Sequence, residues 1–176
     1  MEWANYAWHL DRYDKLKPWG FPIHGCIDSF SRRIMWLEVA RSNNLPKYPA
    51  MYYVEAVKDL GGCPVEVVPD LGTENGLLAS IQSYFPQDCD AQRYIPSPHN
   101  QRIAGWWSFY SNTRSWGRTF FQDWQAEGKI DMTSEMNKEC LWYCFSGMLK
   151  ADCNVVKEHW NTRYIRQLRH NTAAIQ

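Results

Sequence analysis

The first forty residues show three short apolar runs separated by polar or glycine- and proline-containing connections. The runs at residues 5–11, 21–28 and 31–39 have the length and alternation typical of β-strands, so they predict a three-stranded antiparallel meander. The connection at residues 14–20 contains Pro18 and Gly20 and predicts a hairpin.

A strand–helix–strand unit is predicted next. Residues 50–60 form an amphipathic pattern with an expected apolar face, and two glycines follow it, as is common after a helix. Residues 63–69 are rich in valine and predict a strand that pairs in parallel through a right-handed crossover. The apolar face of the helix is expected to consist of Met51, Val54, Val57 and Leu60.

The remainder of the chain predicts mainly helices, which gives an α/β protein. A helix is predicted at residues 76–85, with Leu77, Leu78, Ile81 and Phe85 as its apolar set, and a small strand at residues 93–95. A long helix is predicted from Ser97–Pro98 to about Gly117, because serine is a common cap and proline fits the first helical position. Two further helices are expected at residues 136–150 and 153–169, and residues 1–176 are expected to form one domain.

Composition narrows the classes of partner. The formal net charge is zero, so affinity for nucleic acid cannot come from bulk charge and would depend on local patches. Ten Trp, ten Tyr and seven Phe indicate a core built on large rings more than a stacking surface for bases. Trp106 and Trp107 are adjacent, so we expect one to face the core and the other a surface used by a partner chain.

The six cysteines, at positions 26, 63, 89, 140, 144 and 153, include no CxxC pair and no cysteine–histidine spacing typical of zinc. They predict reduced, mostly buried thiols in an intracellular protein. The sequence shows no signal peptide and no apolar run of membrane length. We therefore expect an intracellular location and no membrane partner, and these features do not separate the cytoplasm from the nucleus.

Candidate chemistry lies in three stretches: Trp8–Asp11, Asp70–Asn75 and Ser97–Trp107. An aspartate at the end of a strand is more often a turn residue or a helix cap than a metal ligand, so neither Asp11 nor Asp70 is informative by itself. Two such aspartates on neighbouring strands could, however, hold metal ions for phosphoryl transfer. Asp28 is expected to be structural and to bond the turn at Ser29 or Ser31.

In their residues and in their order along the chain, these stretches resemble the catalytic core of transposon and retroviral integrases. The segment Ile27–Arg32, between the first two stretches, belongs to the same resemblance. The nearest likeness is to integrase-core-domain proteins of animal transposable elements. The resemblance runs from about Trp8 to His170 and implies a ribonuclease-H-like α/β fold with a mixed five-stranded sheet flanked by helices. It also implies metal-dependent DNA cleavage and strand transfer as the reaction.

By this resemblance Asp11 and Asp70 are the two metal-binding aspartates, for Mg²⁺ or Mn²⁺, and position 104 is that of the catalytic glutamate. Thirty-three residues separate Asp70 from Ala104, a gap that suits integrase cores. A methyl group cannot coordinate a metal, so the second ion would be weakly held or absent and catalysis disabled. Glu74 is a poor substitute ligand, since this acidic residue also accompanies intact triads in the family.

Two explanations of Ala104 stay open: a catalytic glutamate replaced for study, or a domesticated, non-catalytic DNA- or protein-binding module. In either case the start of the long helix, with free backbone amides, would suit phosphate. The expected DNA contacts there are His99, Asn100, Gln101 and Arg102. Integrase cores commonly dimerise through helices, so a homodimer is expected.

Overall fold

The computed structural model describes residues 3–42, 44–69, 75–85, 100–165 and 170–171. The strands are β1 (Ala7–Tyr13), β2 (Ile23–Asp28), β3 (Ile34–Val39), β4 (Glu66–Val68), β5 (Tyr164–Ile165) and β6 (His170–Asn171). The helices are α1 (Lys47–Leu60), α2 (Gly76–Tyr84), α3 (Gln101–Thr113), α4 (Trp116–Ala126) and α5 (Glu135–Asn161).

The predicted meander is confirmed: β1 pairs with β2 and β2 with β3, both antiparallel. The connection after β1 is a 3-10 helix, Asp14–Trp19, and not the expected hairpin. It buries Leu16 and Trp19, which gives a helical turn an apolar face that a plain hairpin would lack.

The parallel strand is also confirmed. β4 pairs with β1, with His9 opposite Val68, and α1 provides the crossover before it. Among the described residues the main sheet has four strands, in the order β3-β2-β1-β4, and not the five expected from the resemblance. The expected strand at residues 93–95 lies outside the described residues, and β5 and β6 form a separate two-stranded ribbon.

Side chains alternate between the two faces of this sheet, which is therefore covered on both sides. One face holds Trp8, Leu10 and Trp36 in a cluster with residues of α1 and α2. The other holds Tyr13, Ile23 and Ile27 in a cluster with residues of α3, α4 and α5. Helices on both faces of a mixed sheet make a three-layer α/β architecture.

The predictions of which helix residues are buried and where the helices end are partly wrong. In α1, Gly61 ends the helix with a left-handed φ of 74°, as predicted, but Met51 and Val54 are exposed while Ala50 and Tyr53 are buried. In α2 Leu78 is buried, whereas Leu77 and Phe85 are exposed. Aromatic residues fill the space over the sheet in place of the aliphatic ones.

The long helix expected up to Gly117 is two helices, because Arg114 leaves the helical conformation and lies 3.3 Å from Asp152. The two helices expected near the C-terminus are instead the single α5. Its buried residues Leu149, Cys153 and Val156 continue at helical spacing across the predicted break at residues 151–152, so nothing in the packing interrupts the helix. The Ser97–Pro98 start lies outside the described residues.

Trp106 and Trp107 are both buried, which corrects the expectation that only one could be. Trp106 contacts Trp160 of α5, with ring centroids 6.0 Å apart, while Trp107 lies against Tyr13 of β1 and over Gly25 of β2. α3 lies between the sheet and α5, so of two adjacent side chains one can pack on α5 and the other on the sheet.

The long α5 also closes one edge of the sheet. Asn161 accepts a hydrogen bond from the Ile34 amide at 2.8 Å and donates to the Ile34 carbonyl at 2.9 Å. The Trp160 indole donates to the Arg32 carbonyl. These bonds cover backbone groups that an edge strand would otherwise expose.

Of the five cysteines that the structure describes, all are free thiols. Cys26 and Cys153 are buried, but Cys140 and Cys144 are exposed on α5, so the expectation of mostly buried thiols is wrong for this pair. Within the described part of the chain, no helix is long and apolar enough to cross a bilayer.

Candidate functional site

Asp11 lies within β1, a strand held on both sides. It is opposite Gly25 of β2, and the neighbouring β4 runs parallel to β1 with Val68 at the level of His9. Asp11 is half-buried, and its Oδ1 accepts a hydrogen bond from the Arg12 amide at 2.8 Å. A strand inside a sheet fixes the direction of such a carboxylate better than a loop would.

Asp70 itself lies outside the described residues, as do Glu74 and His99. The strand that leads to Asp70 is well anchored. Gln82 of α2 is fully buried, accepts a hydrogen bond from the Tyr53 hydroxyl and donates to the Pro64 carbonyl at 2.8 Å. The approach to β4 is therefore fixed against α1 and α2.

The start of α3 is tied directly to β1 by Asn100, which is only 1% exposed. The Asn100 amide nitrogen donates to the Leu10 carbonyl at 2.9 Å, and the Asn100 Oδ1 lies 2.6 Å from Nδ1 of His9. Since the amide oxygen can only accept, His9 must carry a proton on Nδ1 in this arrangement. The Leu10 carbonyl belongs to the same peptide unit as the Asp11 amide.

We call the two contacts of the Asn100 side chain, to His9 and to the Leu10 carbonyl, the Asn100 latch. The backbone of residue 104 is connected to it. The Ala104 amide donates to the Asn100 carbonyl at 3.2 Å, the first turn of α3, and Ala104 is exposed beside the buried Ile103. Two hydrogen bonds thus relate the backbone of residue 104 to the peptide unit before Asp11. The structure brings together Asp11, Asn100 and the helix start that carries Ala104.

A second contact fixes the other end of α3 on β1. The Tyr13 hydroxyl lies 3.0 Å from Ser111 Oγ, and Lys15 donates to the same oxygen at 2.9 Å. With Asn100 at one end and Ser111 at the other, α3 is held along the strand that carries Asp11.

Three of the four expected DNA-contact residues are described by the structure, and they differ in exposure. Gln101 and Arg102 are exposed on the first turn of α3, whereas the Asn100 side chain is buried and bonded to β1. Sequence reasoning missed the positioning role of Asn100 and its partner His9. The available signal was His9 at an inward-facing position of an apolar strand, where a buried polar group needs a partner.

Asp28 has the structural role expected of it. Its carboxylate is buried and accepts hydrogen bonds from the Asn5 amide at 2.9 Å, from the Ser31 amide at 2.7 Å and from the Ser31 hydroxyl at 2.5 Å. These bonds close the turn between β2 and β3, so the Asp28 carboxylate is used to stabilise this turn.

His24 lies behind the site on β2, opposite Arg12. Its Nδ1 accepts a hydrogen bond from the Trp36 indole at 2.9 Å. Burial, with a smaller contribution from the Arg12 charge, lowers the pKa of His24 to about 3. His24 is therefore neutral at physiological pH and serves the packing of the sheet.

Among the described residues no three side chains of the His, Cys, Asp or Glu type are grouped closely enough to hold a metal ion. Asp11 provides a carboxylate on the strand to which the α3 start is bonded, and the methyl group of Ala104 provides no donor. The donor chemistry of Asp11, a carboxylate on a rigid strand, suits Mg²⁺ or Mn²⁺, which prefer oxygen ligands.

The chain belongs to the integrase core domain family, whose model matches residues 1–175. Among solved structures it is similar to the HTLV-2 integrase catalytic core domain, determined in complex with magnesium in a trimeric form. That similarity covers 97% of this chain and 95% of the other, with a TM-score of 0.52 and 13% sequence identity, and so concerns the fold. The four-stranded mixed sheet with helices on both faces is consistent with a ribonuclease-H-like fold. No curated protein sequence matches the chain significantly.

Proposed function

We propose that this chain is an integrase-type polynucleotidyl transferase core whose substrate is DNA and whose catalysis is disabled at position 104. Membership of the integrase core domain family supports the reaction class. The observation that carries the site assignment is the Asn100 latch, which fixes the helix start bearing residue 104 to the peptide unit next to Asp11.

Asp11 and Asp70 are the proposed metal-binding aspartates. Asp70 follows Val68 by two positions, just as Asp11 follows His9, and His9 and Val68 are opposite each other in parallel strands. Bound Mg²⁺ or Mn²⁺ would supply charge stabilisation at the phosphate and activate the attacking oxygen. With alanine at position 104 the chain lacks the third carboxylate, so a second ion would be held weakly if at all.

DNA contact is proposed at the start of α3. Arg102 and Gln101 are exposed there, and the first turn of a helix presents amide groups that favour phosphate. Asn100 is assigned to positioning, because both ends of its side-chain amide are engaged by β1. His99 completes the proposed contact set on sequence grounds.

The decisive experiment restores the carboxylate with Ala104→Glu. Because Ala104 is exposed on a helix, glutamate fits without repacking, and glutamate is a good helix former. We expect strand cleavage and transfer on end-processed DNA with Mn²⁺ to appear in Ala104→Glu and to stay absent in the parent chain. A gain of at least about tenfold is expected, because loss of even a hydrogen-bond partner of a metal ligand costs about 10- to 100-fold in activity.

Two controls make that result specific. Ala104→Gln has the same size without the charge, and Asp11→Asn in the Ala104→Glu background removes the proposed partner carboxylate. Both should be inactive. Equal activity of the parent and Ala104→Glu would disprove the assignment of position 104, and Glu74 would then be the next residue to replace.

A second candidate function is a non-catalytic DNA-binding module. It is favoured by the exposed Arg102 on a helix turn where residue 104 is alanine and adds no negative charge. If binding is the function, the parent chain should bind DNA more tightly than Ala104→Glu, with a difference that shrinks as salt rises. Fluorescence anisotropy in Ca²⁺ buffer measures this without cleavage.

We also propose that residues 1–176 fold as a single domain, that the chain forms a homodimer and that it works in the nucleus. The two core clusters share one sheet, which supports the first point. The proposed DNA substrate supports the nuclear location.

A further inference from the structure

Four sulfur-containing side chains follow one another along the exposed side of α5. Met136, Cys140, Cys144 and Met148 are spaced four residues apart, which makes each a surface neighbour of the next on an α-helix. Met136 is 75% exposed and Met148 52%, and both thiols are exposed and free. We call these four residues the sulfur row. Methionine and unpaired cysteine are among the residue types most often buried, so packing does not explain the row.

The geometry of a helix keeps the two thiols of the row apart from each other. Residues four apart have Cβ atoms about 5–6 Å apart, whereas a disulfide requires about 3.5–4.5 Å. A metal ion spans a longer gap, because two thiolates bound at about 2.3 Å from one ion lie up to about 4.6 Å apart. Rotation about χ1 moves each sulfur relative to its Cβ, so Cys140 and Cys144 can reach that separation. Both thiols therefore stay available to an ion while α5 remains helical.

Met148 is placed to supply a third sulfur. Side chains of a helix lean towards its N-terminus, and long ones lie over the preceding turn. We therefore expect Met148 to reach back towards Cys144, and Met136 to reach away from Cys140. The methionine side chain has three rotatable bonds and a polarizable thioether, which suits a ligand that must adapt to an ion. A Cβ built on Gly147 would meet nothing within 4 Å, so the surface beside Cys144 is open.

The donors of the row select a soft ion. None of the positions three or four residues from Cys140 or Cys144 carries Asp, Glu or His, so the helix offers sulfur ligands without a carboxylate or an imidazole. A structural zinc site needs four ligands, and Mg²⁺ and Mn²⁺ prefer oxygen. Thiolates combined with a thioether are a donor set that suits Cu(I).

We propose that Cys140, Cys144 and Met148 form a site for a single Cu(I) ion on the surface of α5. Both cysteines bind as thiolates, so the ion displaces two protons, and the two thiolates with Cu⁺ carry a net charge of −1. Copper enters and stays as Cu(I), so no electron is transferred. None of the three residues belongs to the candidate site at Asp11 and Asn100, and the copper site exists whether or not position 104 supports catalysis.

Competition for the ion measures this site directly. The reduced full chain is titrated anaerobically, with ascorbate, into the Cu(I) complex of bicinchoninate, and the loss of the complex's absorbance reports transfer of copper. We expect one Cu(I) ion per chain, bound with an affinity that does not change with protein concentration. Cys140→Ser and Cys144→Ser should each weaken binding by more than about 100-fold, since losing a ligand costs more than losing a ligand's hydrogen-bond partner.

A control variant separates the site from the other cysteines of the chain. Apart from the buried Cys26 and Cys153, these are Cys63 and Cys89. The double variant Cys63→Ser/Cys89→Ser should bind one Cu(I) ion with the affinity of the parent. Without copper, the α5 variants should match the parent in circular dichroism and thermal melting, because the side chains that they replace are exposed.

The two methionines test the direction of the row. Met148→Leu should weaken Cu(I) binding about tenfold, whereas Met136→Leu, also exposed and also one turn from a cysteine, should leave it unchanged. Leucine keeps the apolar volume and removes the thioether. X-ray absorption at the copper edge should show three sulfur neighbours in the parent and in Met136→Leu, and two in Met148→Leu.

Four results would overturn the proposal. The parent chain could fail to take Cu(I) from bicinchoninate, or the two cysteine variants could bind it as the parent does. One ion for every two chains, with an affinity that rises with protein concentration, would show an ion bridging two molecules in place of a site on one helix. Equal effects of Met136→Leu and Met148→Leu would exclude Met148 as the third ligand.

Discussion

Asn100 shows how one residue can set the relation between two parts of a site. Its side-chain amide bonds both His9 and the Leu10 carbonyl, and its own carbonyl receives the Ala104 amide. A buried amide with both ends used is geometrically demanding, because a small displacement breaks both bonds at once. The helix start is therefore located by hydrogen bonds as well as by packing.

Replacing Asn100 with alanine should be costly for stability. It would leave the Leu10 carbonyl and the His9 Nδ1 proton buried without their partner, at a total of about 3 kcal/mol in the free energy of unfolding. Urea denaturation of Asn100→Ala measures this loss. Gln101→Ala, its exposed neighbour, should change the free energy by less than about 0.5 kcal/mol. Equal values for the two variants would show that the latch is energetically unimportant.

The same variant tests positioning separately from stability. In the Ala104→Glu background, Asn100→Ala should reduce cleavage by more than the increase in unfolded protein can explain. The reason is that residue 104 loses its hydrogen-bonded connection to β1 through the Asn100 side chain. Activity measured well below the melting temperature, at equal folded fraction, makes the comparison.

At the level of elements, α3 depends on a glycine in the strand beside it. A Cβ on Gly25 would lie 2.9 Å from two ring atoms of Trp107, well inside contact distance, so the indole lies on bare backbone. Gly25 is opposite Asp11, and Trp107 thus seats α3 next to the strand that carries the candidate carboxylate. Close approach explains a glycine that would otherwise weaken a strand interior.

Gly25→Ala should therefore destabilise the protein, by about 1–3 kcal/mol, because the indole must shift in a packed core. In a Trp107→Ala background the same change should be neutral or stabilising, since alanine is the better strand residue once the ring is gone. A double-mutant cycle by chemical denaturation measures the difference. Additive effects would mean that Trp107 and Gly25 do not restrict each other.

At the level of the whole molecule, the buried His24 links stability to pH. Its pKa is lowered to about 3 from an ordinary value of 6.5, so the folded chain resists a proton that the unfolded chain accepts. The stabilisation is complete above pH 6.5 and is lost as pH falls towards 3. Between pH 6.5 and 4 the loss should approach about 3 kcal/mol.

His24→Asn removes this titration and keeps an acceptor for the Trp36 indole. The free energy of unfolding of the variant should fall less steeply than that of the parent between pH 6.5 and 4, whatever carboxylates contribute to both. Parallel curves for the two proteins would contradict the burial of a neutral His24.

The sequence alone determined the order of the strands β1 to β4 and of the first two helices, together with local features such as turns. Alternating apolar residues predicted the meander, valine-rich residues predicted the parallel strand, and Gly61 predicted the end of α1, because these signals are local. Asp28 was correctly assigned to its turn for the same reason. The three motif stretches also predicted the family.

Only the tertiary structure decided which faces are buried and how far the helices run. Met51 and Val54 belong to the exposed side of α1, and both Trp106 and Trp107 are buried, because α3 lies between two walls that no local pattern reveals. The pairing of His9 with Asn100 joins residues ninety-one positions apart. Local propensity cannot encode such a contact, since it exists only once the sheet and the helix have been brought together.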